Sequence, residues 1–402
     1  MRPRSPSRRG PPPFVTRPSL RATLLTVAGL AAAVTSPVEA QRAWGDLTRR
    51  FDAFAQAAHI VGGTAVLVRK GQVAARLDVG LADRAAGRRI TDRTIYHWAS
   101  VTKTLTAIAV LQLRDRGMLS LDDRVTRWVP ELREIHDPEG WADSITVRML
   151  LSHTSGLQSP TWPWSRGEPW EPFEPTRWDQ LVAMMPYQRL QFRPGARYHY
   201  SNPGYLYLAR IVEKLSGDPW AVHVQKNIWS PLRMDRSYVG ATPHHLAADR
   251  SHGYRIDGDS LTDIGADFDP GVTIPNSGWN APVDDVVRYV AFLTGAAPDA
   301  ATRARYDGTL RRATVEEMGR PIVETGNALP EFAAVGLGFF SLADEGRRVV
   351  GHTGDQAGYR SYVYIDASTS AAVILVFNTT NDGGAGDREM AALAEAAMRV
   401  LR

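Results

Sequence analysis

The sequence predicts an α+β fold: one antiparallel sheet built from both ends of the chain, flanked by terminal helices, with a helical lobe between. Three observations carry this prediction. β-rich runs lie near the N-terminus and again after Gly336. The segments between them show helical periodicity punctuated by Gly and Pro. Two amphipathic segments, Arg42 to Ala58 and Asp387 to Leu401, bracket the whole. Distant strands joined in one sheet, with helices gathered elsewhere, is the α+β arrangement.

In chain order, Arg42 to Ala58 reads as the first helix. Thr64 to Arg69 and Gln72 to Leu81 read as strands joined at Lys70-Gly71, a hairpin signal. Thr94 to Trp98 looks extended, and Leu105, Ile108, Leu111 and Leu113 then mark a helix that stops at Gly117. Leu119 opens a short element ending near Pro130. Ser144 to Leu151 predicts a short helix closed by the turn Ser152-His153-Thr154-Ser155-Gly156. Gln158 to Trp178 is a Pro- and Trp-rich loop, with Trp162, Trp164, Trp170 and Trp178; it either walls a pocket or is pinned to the body. Helices follow over Pro203–Leu215, Pro219–Trp229 and Val283–Leu293, with 240–280 loop-rich and acidic. Strands are expected at Leu337–Leu342, Arg347–Gly351, Tyr359–Ile365 and Ala372–Asn378. The sheet lobe thus spans about 41–95 and 335–402, and the helical lobe about 105–330. A cleft between two such lobes is a usual place for a site.

The apolar share of 44% and charged share of 22% fit a globular protein with a sizeable core. The first forty residues read differently: six arginines, an apolar run from Ala22 to Val34, then small residues up to Ala40. This predicts a secretory signal peptide cut after Ala40, leaving a protein of the periplasm or the cell exterior. The leader holds six arginines and one glutamate, so its removal takes the formal charge from +4 to −1. A mature chain near neutrality gives no reason to expect a nucleic-acid partner. It contains no run long enough to span a membrane. Without cysteine there are no disulfides and no thiol ligands.

Chemistry concentrates in three stretches. Ser100 and Lys103 stand one helical turn apart at a helix start, on one face. A serine hydroxyl is a weak nucleophile until a base takes its proton, and a neutral amine one turn away can do so. Tyr198-His199-Tyr200-Ser201-Asn202-Pro203 opens another helix: Tyr200 can share a proton with a lysine, and Asn202 can bind a substrate carbonyl or simply cap the helix. Val350-Gly351-His352-Thr353-Gly354-Asp355 is expected at the end of a strand, where glycines permit close approach and backbone N–H groups can bind an oxyanion. His352 would add a polar or partly cationic head.

In this order and separation, S-x-x-K, Y-x-N and H-T-G resemble the serine hydrolases related to class C β-lactamases and D,D-peptidases. Leu150-Leu151-Ser152-His153-Thr154-Ser155-Gly156-Leu157 agrees, and the likeness covers about residues 45 to 400. The class A relatives carry S-x-x-K with S-D-N and K-T-G; here the Tyr form is present and His replaces the last lysine. The resemblance implies a β-lactamase/transpeptidase-like fold and acylation of Ser100. Lys103 and Tyr200 would handle the proton, and Asn202, His352, Thr353 and Gly354 would hold the substrate. The oxyanion would lie between the N–H groups of Ser100 and Asp355. No cofactor and no metal are implied.

In β-lactamases the third-motif lysine helps attract a substrate carboxylate. With His352 in its place and Asp355 beside it, a carboxylate is disfavoured, so neutral esters or D-amino-acid amides and peptides are the expected small-molecule substrates. A D,D-carboxypeptidase or weak β-lactamase is the alternative within the class; a catalytically silent wall- or ligand-binding module is the alternative outside it. Two further patterns carry little: Gly258-Asp259-Ser260-Leu261 matches a short hydrolase motif, and His252, Asp257, Asp259 and Asp263 match no metal-site spacing.

Overall fold

A computed structural model describes residues 37–158, 175–267, 269–381 and 383–402. The expected leader up to residue 36, and Trp162, Trp164 and Trp170, lie outside the described residues. The central element is a nine-stranded sheet with every neighbouring pair antiparallel. Across the sheet the strands run Arg88–Arg89, Gln72–Asp83, Gly62–Arg69, Ala371–Phe377, Tyr359–Asp366, Arg347–Gln356, Phe340–Asp344, Ala334–Val335 and Val323–Glu324. The N-terminal hairpin joins the C-terminal strands through Gly62–Arg69 against Ala371–Phe377, as the sequence predicts. The three two-residue strands were not visible in the sequence pattern.

Alternation explains why the middle strands are apolar throughout. In Gly62–Arg69, Ala65 and Leu67 face one core while Val66 and Val68 face the other. Ala371, Val373, Leu375 and Phe377 likewise oppose Ala372, Ile374 and Val376. One face is covered by the terminal helices, Pro37–Ala57 and Asp387–Leu401; Phe51 stacks on Phe377 with ring centroids 4.8 Å apart. The described part of the first helix, Pro37–Ala57, runs through Ala40. The other face packs against Trp98, Leu105, Ile108, Trp279 and Tyr289, which open the helical lobe. The helix Thr102–Asp115 runs through that lobe with twelve consecutive residues buried from Thr102 to Leu113.

Several expectations change in detail. The strand expected to end at Gly351 continues to Gln356, so the Gly-His-Thr-Gly stretch lies inside a strand and is no strand exit. The reason is its neighbour Tyr359–Asp366, which pairs with it up to Gln356. The acidic stretch 240–280 contains the hairpin Gly253–Asp257 and Ser260–Gly265, added to Thr379–Asn381, and the strand Trp279–Pro282. Helices Ala300–Thr309, capped by the Asp299 carboxylate on the Thr302 N–H, and Arg312–Met318 went unread. Gly258-Asp259 is merely the exposed turn of the hairpin, and His252 pairs with Asp263 at 3.0 Å while Asp257 and Asp259 are exposed. Trp178 opens the helix Trp178–Met184 and packs on the core, with its ring edge-on to Tyr207. No helix among the described residues is long and apolar enough to cross a membrane.

Candidate active site

Ser100 sits in a tight 3-10 turn, Ala99–Val101, that feeds the helix Thr102–Asp115. Ala99 has φ of +46°, a conformation that costs a non-glycine residue about 1 kcal/mol or more. The surrounding bonds hold it there. Trp98 N–H donates to the Trp279 carbonyl (2.8 Å), the Thr102 hydroxyl donates to the Ala99 carbonyl (2.6 Å), and Trp279 N–H donates to that hydroxyl (3.0 Å). The turn presents Ser100 at the junction of the two lobes.

The strand Arg347–Gln356 passes directly beneath this turn. Gly354 makes the approach possible: a Cβ there would lie 2.4 Å from the Trp98 carbonyl oxygen and 3.2 Å from the Ala99 Cβ. Its neighbour Phe340–Asp344 pairs only with residues 347 to 351. From His352 to Gln356 the strand is therefore paired on one side only, by Tyr359–Asp366. Among the described residues no strand pairs with that edge, and such an unpaired edge is the kind that an extended ligand can join.

Lys103 is fully buried one turn after Ser100. Its Nζ donates to Ser100 Oγ (3.1 Å) and to the Asn276 carbonyl (3.0 Å). Among the described residues it makes no ion pair with a carboxylate, and burial drives its pKa well below the ordinary lysine value. The Tyr200 ring lies 4.9 Å from Nζ, and Ser100 is near enough to the Tyr200 phenol to act on its ionisation. Burial raises the Tyr200 phenol well above its usual range, so it is a neutral donor. Three proton-carrying groups are thus in contact, and the environment favours the neutral form of both lysine and tyrosine.

The remaining expected residues divide. Asn202 is the first residue of the helix Asn202–Ser216, but the cap is Ser201, whose Oγ accepts from Gly204 N–H (3.3 Å). The Asn202 carboxamide is therefore not spent on capping; the Asn202 backbone carbonyl accepts from Asn276 Nδ2 at 3.4 Å. His352 is brought to the site, 6.4 Å from Tyr200 between ring centroids, but not as a cation. It is 2% exposed, packed edge-on to Phe340, and burial with Lys103 nearby holds its pKa at about 3. Nδ1 donates to the Thr353 carbonyl (2.5 Å), leaving Nε2 as a buried lone pair without a partner among the described residues. The Asp355 side chain turns to Arg360 (2.9 Å), which compensates its charge. Thr353 also turns outward and donates to Glu331 (2.9 Å).

Three contributors were not singled out in the sequence. Asn276 supplies a carbonyl to Lys103, and a backbone acceptor leaves no residue-type signal. Glu331 lies far from every motif in the chain. His153 lies outside the three motifs, yet its ring stacks on Tyr200 at 4.4 Å and its Nδ1 accepts from Ser201 N–H (3.0 Å). Its neutrality is secured by burial. The Ser-His-Thr-Ser-Gly turn was the available signal; in the structure it holds His153 at a positive φ.

Comparisons with known proteins bear on the family and the fold. The Beta-lactamase family profile matches residues 47–398. Esterase EstB of Burkholderia gladioli is 35% identical over 212 residues, covering 49% of this chain and 52% of its own. The chain thus spans about half the length of that relative. Among solved structures, the D-amino acid amidase of Ochrobactrum anthropi SV3 superposes with a TM-score of 0.70 at 22% identity, over 90% of this chain and 97% of its own. A class C beta-lactamase superposes with a TM-score of 0.72 at 18% identity, over 91% and 98%. The antiparallel sheet, helical lobe and profile match together establish the expected fold, and the chain belongs to the Beta-lactamase family.

Proposed function

We propose that this chain is an exported serine hydrolase that acts through an acyl-enzyme on Ser100. The observation that carries the reading is the contact of the buried Lys103 amine, its pKa lowered by burial, with the Ser100 hydroxyl. A lysine with lowered pKa is a base near neutral pH. In the proposed sequence, Ser100 Oγ attacks the substrate carbonyl carbon and its proton passes to Lys103 Nζ. The N–H groups of Ser100 and Asp355 hold the oxyanion. Tyr200 gives its phenolic proton to the leaving oxygen or nitrogen and recovers one from Lys103, and the carbonyl–leaving-group bond breaks. Water then attacks the acyl-enzyme by the reverse relay. Asn202, with Gly354 and the open edge from His352 onward, holds the carbonyl side of the substrate.

The substrate class we infer is esters or D-amino-acid amides that lack a carboxylate near the reacting bond. The neutral, buried His352 offers no cation for such a carboxylate, and Thr353 is already bonded to a carboxylate of the protein. The relation to an esterase at 35% identity supports the ester reading. A D,D-carboxypeptidase substrate ends in a free carboxylate and fits less well. The test is hydrolysis of p-nitrophenyl butyrate by residues 41–402, wild type beside Ser100→Ala. Turnover by the wild type alone supports the reading; equal turnover by both rejects Ser100.

A further inference from the structure

Two buried imidazoles beside Tyr200 each leave one ring nitrogen without a partner among the described residues. Their backbone partners fix where each neutral ring keeps its proton. His153 is fully buried and its Nδ1 accepts from the Ser201 N–H (3.0 Å), so its proton sits on Nε2. His352 is buried too, and its Nδ1 donates to the Thr353 carbonyl (2.5 Å), so its Nε2 is a bare lone pair. One orphan is therefore a donor and the other an acceptor. Both rings lie against the same two aromatic rings. Between centroids, His153 is 4.4 Å from Tyr200 and 5.9 Å from Phe340, and His352 is 6.4 Å and 5.0 Å from them. The two are also electrostatic neighbours, since a charge on His352 would lower the His153 pKa. His153 grips the chain on both sides of Tyr200: its carbonyl accepts from the His199 N–H (2.8 Å) and its ring from the Ser201 N–H. His352 belongs to the strand that carries Gly354 beneath the Ser100 turn.

We propose that one water joins this pair, accepting from His153 Nε2–H and donating to His352 Nε2, and that the two histidines are positioning residues for Tyr200. Resting on the Ser100 reading above, this ties the Tyr200 stretch to the Gly351-His352-Thr353-Gly354 strand, so that the leaving-group donor and the oxyanion strand keep one spacing. The two nitrogens make no direct bond, so a group that satisfies both must span a gap. A water does so with the acceptor and the donor that they lack. Leaving either nitrogen buried and unpaired is costly. No charge is needed, in keeping with the burial that holds both rings neutral.

The first test is a crystal structure at about 1.2 Å resolution. The expected result is a density peak about 2.7–3.2 Å from both Nε2 atoms; two Nε2 atoms that meet no common peak overturn the pair. The second is a double-mutant cycle on folded enzyme, checked by thermal melts, with ethyl butyrate and p-nitrophenyl butyrate as substrates. His153→Asn and His352→Asn each keep a polar atom near Nδ1 for the backbone partner but withdraw the far end of the ring. Each should lower kcat about tenfold on the ethyl ester and less on the nitrophenyl ester, whose leaving group needs little help from Tyr200. The double variant should lose no more than the worse single one, and His352→Gln, which returns an oxygen near the Nε2 position, should recover most of the rate. Losses that multiply, or a His352→Gln enzyme no better than His352→Asn, overturn the pair. A shared peak in a protein without Ser100-dependent ester turnover would leave the water bridge standing and reject the hydrolase reading instead.

Discussion

One added methyl group at Gly354 should separate the strand from the catalytic turn. In Gly354→Ala the new Cβ would stand 2.4 Å from the Trp98 carbonyl oxygen, 2.7 Å from Ser361 Oγ and 3.2 Å from the Ala99 Cβ. Ordinary contact begins near 3.4 Å, so one side must retreat by about 1 Å. The Ser361 hydroxyl can rotate away, but the Trp98 carbonyl cannot, because the Trp98 N–H and indole are tied to Trp279 and Ala281. The strand therefore moves, and with it the Asp355 N–H proposed for the oxyanion hole. A misplacement of this size costs about 10²-fold in rate, while overpacking costs about 1–3 kcal/mol of stability. The assay is kcat/KM on p-nitrophenyl butyrate, with a thermal melt to show that the protein stays folded. A folded Gly354→Ala enzyme with wild-type kcat/KM would refute the claim that the strand must touch the Ser100 turn.

Other substitutions test the proton relay and its support. Lys103→Arg keeps a cation that never becomes a base, so ester turnover should fall by about 10²-fold or more at every pH. In the wild type the acid limb of the pH–rate profile should lie well below the ordinary lysine range, because burial lowers the Lys103 pKa. Tyr200→Phe removes the leaving-group donor without removing the ring, and kcat should fall more for an alkyl ester than for a p-nitrophenyl ester, whose leaving group needs less protonation. His153→Phe keeps the ring against Tyr200 but strands the Ser201 N–H, at a cost of about 1–3 kcal/mol; urea denaturation reads the cost, and a fall in kcat reads the displaced Tyr200. Stability should also fall in acid. His97 and His223 are held at about 4 and His352 at about 3, against 6.5 unfolded. Above pH 6.5 both states are neutral; below it only the unfolded state gains protons, so stability drops as pH falls towards about 4. At pH 5 the loss is about 2 kcal/mol per histidine, measurable as a falling urea midpoint.

Much of this fold was legible because its signals are local. Alternation in Gly62–Arg69 and Ala371–Phe377, and the apolar run of the Thr102–Asp115 helix, depend on residues near one another in the chain. The extension of one strand to Gln356 was not legible, since it is imposed by pairing with Tyr359–Asp366. The helix Ala300–Thr309 is mostly polar, with only two buried positions, so its periodicity was faint. Ser100, Lys103 and Tyr200, which the structure brings together, were singled out by residue type and spacing. The charge argument built on Asp355 did not survive, because Arg360, five residues later, faces it across a hairpin. Glu331 and the Asn276 carbonyl act through distance in space alone, which no spacing in the chain encodes.

The central claim is that Ser100 carries the acyl group. The direct measurement is mass spectrometry of the protein quenched during turnover of a bulky, slowly deacylating ester such as p-nitrophenyl pivalate. The account predicts an adduct of the acyl mass on the peptide that contains Ser100, absent from Ser100→Ala and accumulating in step with a burst of nitrophenolate. An adduct on another residue, or turnover with no adduct in a protein that still requires Ser100, would contradict it.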